Sequence, residues 1–302
     1  MKDFEYCAPQ TLREAIKLMA EKGDQARMLA GGTDLIVQMR VGRRQPERVV
    51  DAKNVSELNE LSYGNRRGLR IGAAVACHRI YEDAQIAELY PGLTDSASII
   101  GGIQIQGRAS IGGNLCNASP SGDSIPTLIA YGATCEIAGP GGKRSLPVEE
   151  FCTGPGQNAL ADGEILVAVT LPPARKGSGA HYLRFIPRNE MDIAVVGVGA
   201  HVELANRRKD FKSVRIALAA VGPTPVFARE AGALLEGREV SDEAIAEAAQ
   251  AAQAAASPIS DMRGTADFRR HLVGVLTKRA LNGAVQRAKG KFVANAVQEA
   301  AG

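Results

Sequence analysis

Apolar positions recur at helical spacing near the start of the chain. Leu12, Ala15, Ile16 and Met19 follow a capping box, Thr11-Leu12-Arg13-Glu14, so a helix is predicted to about Lys22, stopping at Gly23. Short apolar runs over 27–30, 48–52 and 69–76 read as strands. Gly31-Gly32-Thr33-Asp34 makes a tight loop between the first of these and a helix opening at Leu35. Helical patterns follow over 77–90, ending at Pro91, and over 93–102; then come a glycine-rich stretch at 110–114, a helix from Ser124, and strands over 134–138 and 165–171. Pro140-Gly141-Gly142 supplies a hairpin turn. The segment 172–179 has Pro and Gly punctuation and no apolar periodicity, which marks the main domain boundary. Beyond it, 180–186, 193–204 and 214–221 read as three strands of an antiparallel meander. An Ala-rich helix capped at Ser241 and an amphipathic helix from Phe268 to about Lys289 complete the pattern. The expected organisation is a domain over 1–175, with subdomains about 1–55 and 56–175, a sheet-plus-helix domain over 180–290 and a tail over 291–302.

A chain of 302 residues that is 45% apolar has enough material for about two compact units. Its 36 Lys and Arg against 33 Asp and Glu are too balanced to make nucleic acid or an anionic membrane the default partner, while an acidic small molecule stays open. No apolar run has the length of a membrane span, and the opening Met1-Lys2-Asp3-Phe4-Glu5 is unlike a signal segment, so the cytoplasm is the expected location. Cys7, Cys77, Cys116, Cys135 and Cys152 are odd in number and scattered, which argues against a disulfide framework and against a zinc or iron–sulfur site held by this chain.

Two segments carry the chemistry: Ala30-Gly31-Gly32-Thr33-Asp34 and Ser110-Ile111-Gly112-Gly113-Asn114. Each sets consecutive glycines beside a hydroxyl or amide residue, where missing Cβ atoms let backbone amides converge on an anion. One such loop suits a phosphate; two from different subdomains suit the halves of a pyrophosphate, with amide dipoles neutralising it in place of a Lys or Arg cluster. Glycine pairs also simply make turns. Standard nucleotide signatures are absent: Gly197-Val198-Gly199 lies in a strand, and Gly141-Gly142-Lys143-Arg144-Ser145 lacks Walker spacing. His78, His181, His201 and His271 are too dispersed to suggest a triad or metal centre. Cys152 has no neighbour that would lower its pKa and reads as a spectator. Asp123, just before a helix, is either an N-cap or an acceptor for a ligand on the nearby glycine loop.

Ala-Gly-Gly-Thr-Asp-Leu at 30–35 and Ala-Ser-Ile-Gly-Gly-Asn-Leu-Cys-Asn-Ala-Ser-Pro-Ser-Gly-Asp-Ser at 109–124 closely resemble the FAD-binding medium subunits of molybdenum hydroxylases, the family of xanthine dehydrogenase and bacterial carbon monoxide dehydrogenase. The likeness continues through 151–157, 164–166, 191–195, 219–225 and 266–270. It implies an α+β fold: a two-subdomain FAD-binding domain with the flavin between its halves, then a C-terminal domain of three-stranded antiparallel sheet and helices. By position, Arg27, Met28, Leu29, Ala30, Gly31, Gly32, Thr33 and Asp34 with Ser110, Ile111, Gly112, Gly113 and Asn114 would wrap the pyrophosphate and ribityl chain. Asn117 and Asp123 would face the cofactor beyond it. Leu166 and Arg184 would approach the isoalloxazine ring, Arg184 standing where the family commonly has Lys, and Ile100 would meet the flavin or adenine edge.

The resemblance further implies a molybdopterin-binding large subunit, a 2Fe-2S small subunit and a heterotrimer paired into a dimer of trimers. This chain would be the FAD-carrying electron-transfer subunit, needing no base or nucleophile of its own. The external acceptor stays open among NAD+, oxygen, a quinone and ferredoxin, and the lack of a second nucleotide fingerprint weighs against NAD+. Two other readings stand beside it. A free-standing FAD oxidase or reductase would want a base, for which His181 and Tyr182 are nearest in chain order to Arg184. A scaffold that kept the fold and lost the flavin is at odds with the intact glycine pairs.

Overall fold

The computed structural model describes residues 1–188 and 191–294, so the tail expected over 291–302 lies outside the described residues from 295 onward. The capping box forms: Thr11 Oγ1 accepts from the Glu14 amide at 3.2 Å, and the Glu14 carboxylate reaches back to the Gln10 amide at 3.0 Å. The helix Leu12–Lys22 then ends at Gly23, whose φ is +49°. Three short strands, Glu5–Cys7, Arg48–Asp51 and Ala26–Leu29, pair in that spatial order, both pairs parallel. Parallel neighbours require a crossover, and the helix Leu35–Arg40 lies on the one joining the last two in sequence.

Downstream, an antiparallel sheet of five strands runs Leu61–Gly64, Gly68–Gly72, Ile165–Leu171, Thr134–Gly139, Gly142–Pro147. Ile165–Leu171 is central and apolar but for Thr170 because both of its faces are covered. Ile165 and Val167 pack with Leu12, Ala15 and Val50 of the first subdomain, whereas Leu166, Val169 and Leu171 enter a second core with Ile71, Leu115 and Ile125. Strict alternation cannot put 166, 169 and 171 on one side; a bulge between Leu166 and Ala168 resets the phase.

Several expected boundaries shift. The helix expected over 77–90 is two helices, Cys77–Tyr81 and Ala84–Leu89, because the Asp83 carboxylate accepts from the amides of Gln85 and Ile86 at 3.0 Å each and starts a new turn. Pro91 opens the next helix, Pro91–Ala97, in place of merely ending the previous one; at a first helical position its missing amide costs nothing. The strand expected over 69–76 stops at Gly72.

The C-terminal strands Ser178–Phe185, Val196–Ala205 and Asp210–Ala219 form the expected meander, and the two-residue strand Val226–Phe227 joins its edge, too short to leave an alternation signal. Val196, Val198, Ala200 and Val202 pack under the helices Asp242–Ala255 and Ala266–Ala288. The opposite side meets the first domain, where His201 stacks near Tyr131 with ring centroids 5.2 Å apart.

Two buried carboxylates tie the domains together. Asp95 Oδ2 lies 2.8 Å from His181 Nδ1 and accepts from the Tyr182 amide at 3.1 Å, while Arg287 grips both oxygens at 2.5 and 2.9 Å. Asp123 accepts from the Tyr182 hydroxyl at 2.8 Å and from Arg184 Nη1 at 2.6 Å. Such pairs fix geometry more surely than they add stability, since each ion must first be stripped of water.

Candidate functional site

The end of the strand Ala26–Leu29, the start of the helix Leu35–Arg40 and the start of the helix Ile111–Asn117 open on one cavity of about 580 Å3. That size lies within the roughly 300–1,000 Å3 of small-molecule sites. The second glycine pair is not a loop, as its composition suggests, but the first turn of a helix: Ser110 Oγ accepts from the Gly113 amide at 3.0 Å and overrides the glycines' poor helix propensity.

The four glycines have different duties. A Cβ on Gly31 would sit 1.9 Å from the Arg108 carbonyl oxygen, and one on Gly112 would sit 2.4 Å from that of Ala73. These two therefore let backbone meet backbone. Gly32 has a φ of +77°, in the left-handed region. Only Gly113 is open: a Cβ there would meet nothing within 4 Å except Ser110 Oγ at 3.0 Å. Gly113 also lines the cavity. The amides of Gly32, Thr33 and Gly112 have no acceptor among the described residues and are available to an anion.

Cations also reach the cavity, contrary to the expectation that amide dipoles act there without a Lys or Arg cluster. Arg27 and Arg44 both line it. Burial, and next the nearby Arg44, lower the pKa of Arg27 against the pull of Asp24 and Asp162. Arg44 Nε donates to Gln38 Oε1 at 2.9 Å and Gln38 Nε2 donates to Asn117 Oδ1 at 3.0 Å, wiring the wall of one subdomain to that of the other. Asp34 faces the same space, and burial raises its carboxyl pKa. The third wall comes from 153–166, including Thr153, Gln157, Asn158 and Leu160. Asn158 Nδ2 donates to the Cys116 carbonyl at 2.9 Å. Burial pushes the thiols of Cys116 to about 12 and Cys152 to about 11, which leaves neither as a nucleophile.

Of the residues expected at the site, Arg27, Met28, Ala30, Gly31, Gly32, Thr33, Asp34, Ile100, Ser110, Gly112, Gly113, Asn114, Asn117 and Leu166 line this cavity. Four do not. Leu29 packs beside Gly32, and Ile111 is fully buried in the core. Asp123 stands at the N-cap position of the helix Ser124–Ala130, but its side chain makes no capping bond and presents no free carboxylate to a ligand, because Tyr182 and Arg184 occupy its oxygens. Burial raises its pKa against the pull of Arg184, and pushes the Tyr182 phenol well above 10. Arg184 is thereby held at the domain junction. Gln38, Arg44, Gln157 and Asn158 escape sequence reading because nothing local separates an amide or guanidinium that lines a cavity from one in solvent.

Fold and cavity together define a two-domain flavoprotein subunit: a split α+β unit that brings two glycine segments to one cavity, followed by a sheet-and-helix domain. Residues 2–174 match the family model described as the FAD binding domain in molybdopterin dehydrogenase, and 181–284 match the CO dehydrogenase flavoprotein C-terminal domain. The chain belongs to this family of FAD-binding subunits of molybdopterin-dependent oxidoreductases. It is 34% identical to the xanthine dehydrogenase FAD-binding subunit of Escherichia coli O157:H7, over 97% of this chain and 100% of that one. A solved structure of carbon monoxide dehydrogenase from Hydrogenophaga pseudoflava superposes with a TM-score of 0.90 at 31% identity, covering 95% of this chain and 98% of the other. Quinoline 2-oxidoreductase from Pseudomonas putida 86 gives a TM-score of 0.87 at 30% identity, covering 96% and 100%.

Proposed function

We propose that this chain holds FAD across the cavity and serves as the flavin subunit of a molybdopterin dehydrogenase, taking electrons from a 2Fe-2S small subunit while a molybdopterin-binding large subunit carries out the substrate chemistry. The observation that carries the reading is the meeting of both glycine segments on one cavity. FAD, when bound, accepts electrons singly or in pairs and releases them either way. The chain's own residues bind and orient. Gly113 leaves room for a phosphate oxygen, the free amides of Gly32, Thr33 and Gly112 donate to it, and Arg27 and Arg44 supply charge. Leu166, re-aimed by its bulge, presents an apolar edge to the flavin.

The free-standing oxidase reading loses its base. His181 is committed to Asp95, and the Tyr182 phenol, bound to Asp123 and pushed well above 10, holds its proton. Among the described residues no helix is long and apolar enough to cross a membrane, which fits the proposed cytoplasmic location.

Native mass measurement on protein from its own cell should find this chain with the two partners, as a heterotrimer or its dimer. The chain alone with full substrate turnover would contradict the reading. For the acceptor, stopped-flow flavin absorbance of dithionite-reduced protein should show reoxidation by a quinone or one-electron acceptor at least as fast as by NAD+. Rapid reoxidation by NAD+ alone would reverse that assignment.

A further inference from the structure

A second cavity, of about 550 Å3, opens at the domain junction and shares no lining residue with the first. The helices Ala84–Leu89 and Pro91–Ala97 supply one side; the strands Ser178–Phe185 and Val196–Ala205, with residues around the end of the helix Ala266–Ala288, supply the other. Its buried end carries three polar groups with bonding capacity left over. Thr94 Oγ1 is shut off from solvent and has no hydrogen-bond partner among the described residues. The Tyr131 hydroxyl accepts from the Gly92 amide at 3.2 Å, and no acceptor among the described residues takes its own proton. The His201 imidazole, stacked near Tyr131, makes no hydrogen bond among the described residues, and burial lowers its pKa to about 4, which keeps it neutral. Buried polar groups are almost always paired, so three unpaired on one wall mark a place for a ligand's own polar atoms. The charges at this end are matched: Asp95 and Arg287 bind each other.

The solvent end is cationic and aromatic. Lys291 forms no ion pair among the described residues, and Arg175 shares the single Glu203 carboxylate with Lys212. Glu88 is the opposing acid on this rim. Phe292, 84% exposed, stands beside Lys291 on a segment pinned at two carbonyls: Arg287 Nη2 donates to that of Val293 and Arg208 Nη1 to that of Lys289, at 2.8 Å each.

We propose that this cavity binds a small aromatic carboxylic acid bearing a ring hydroxyl, the hydroxyl set among Thr94, Tyr131 and His201, the ring beside Phe292, and the carboxylate at Lys291 and Arg175. Two demands select that class. The inner groups offer hydroxyl donors and a neutral ring nitrogen but no net charge, which suits a hydroxyl and rejects an ion. The rim sets Arg175, Lys212 and Lys291 against Glu88 and Glu203, which favours an anion there. The volume lies within the roughly 300–1,000 Å3 of small-molecule sites. Because the two cavities have no residue in common, this site stands or falls apart from the flavin reading.

The test is calorimetric titration of the full chain with 4-hydroxyphenylacetate, and with 4-hydroxyphenylacetamide as its uncharged counterpart. The acid should saturate at one equivalent per chain, weaken with added salt, and bind at least about tenfold more tightly than the amide. Thr94→Val keeps the shape and removes a hydroxyl that has no partner, so the variant should melt no lower than wild type while affinity for the acid falls about three- to tenfold. Lys291→Glu, on an exposed side chain, should weaken the acid about tenfold and leave the amide unchanged. No saturable binding of the acid up to about 10 mM, equal affinity for acid and amide, or wild-type affinity for the acid in either variant overturns the proposal.

Discussion

Gly31 and Gly113 sit in matching sequence motifs, yet alanine at each should act on a different property. At Gly31 the new Cβ would lie 1.9 Å from the Arg108 carbonyl oxygen, where ordinary contact begins at 3.4 Å. One backbone segment must retreat by about 1.5 Å, the difference of those distances, and overpacking of this kind costs roughly 1–3 kcal/mol. Melting of the flavin-free protein should drop by several degrees, at roughly 2–4 °C per kcal/mol. At Gly113 the Cβ meets only Ser110 Oγ at 3.0 Å, and the position is the third of a capped helix. Alanine gains about 0.5–1 kcal/mol there from helix propensity, so the flavin-free protein should melt no lower than wild type. Gly113 lines the cavity, however, and with a methyl there FAD affinity should fall at least tenfold, about 1.4 kcal/mol. Calorimetry of stripped protein and fluorescence titration with FAD separate the two effects. Gly113→Ala with unchanged FAD affinity would refute the placement of the phosphate, whatever its effect on melting.

Arg44→Ala removes a cation and the Gln38 bond from the cavity wall, so FAD affinity should fall by about 1.5–3 kcal/mol and depend less on salt, as read by titration at two ionic strengths. Asp123→Ala leaves the Arg184 guanidinium buried without its counter-ion, and thermal unfolding should show a loss of about 3–5 kcal/mol. His201 has its pKa lowered from 6.5 to about 4 by burial. The unfolded chain therefore takes up the proton first, so this contribution to stability is complete above pH 6.5 and is lost as pH falls towards 4, by at most about 3 kcal/mol. Urea melts at pH 7 and 4.5 should show that slope in wild type and a flatter one in His201→Gln.

The parts of the fold that were legible from the residues are those whose signal is local. The Thr11 capping box, the helix Leu35–Arg40 and the C-terminal meander each follow from a contiguous pattern of caps, periods and turns. What escaped depends on partners distant in sequence or on a single competing side chain. Asp83 splits a helix by capping its second half, and Ser110 turns a glycine pair into a helix start. Asp123 gives its oxygens to Tyr182 and Arg184, some sixty residues away, so no pattern around position 123 marks it as a domain tie. The site divides in the same way. Glycine pairs announce an anion cradle because few side chains tolerate such backbone, whereas Gln38, Arg44 and Asn158 acquire meaning only when the walls are assembled.

The most direct measurement is the flavin content of the purified chain. Protein isolated from its own cell, then denatured to release bound cofactor for mass identification, should yield one FAD per chain, and stripped chain should take up one equivalent with the matching visible absorbance. Gly113→Ala should do so only at higher FAD concentration. A folded wild-type chain that carries no flavin and binds none when FAD is supplied would contradict the account at its centre.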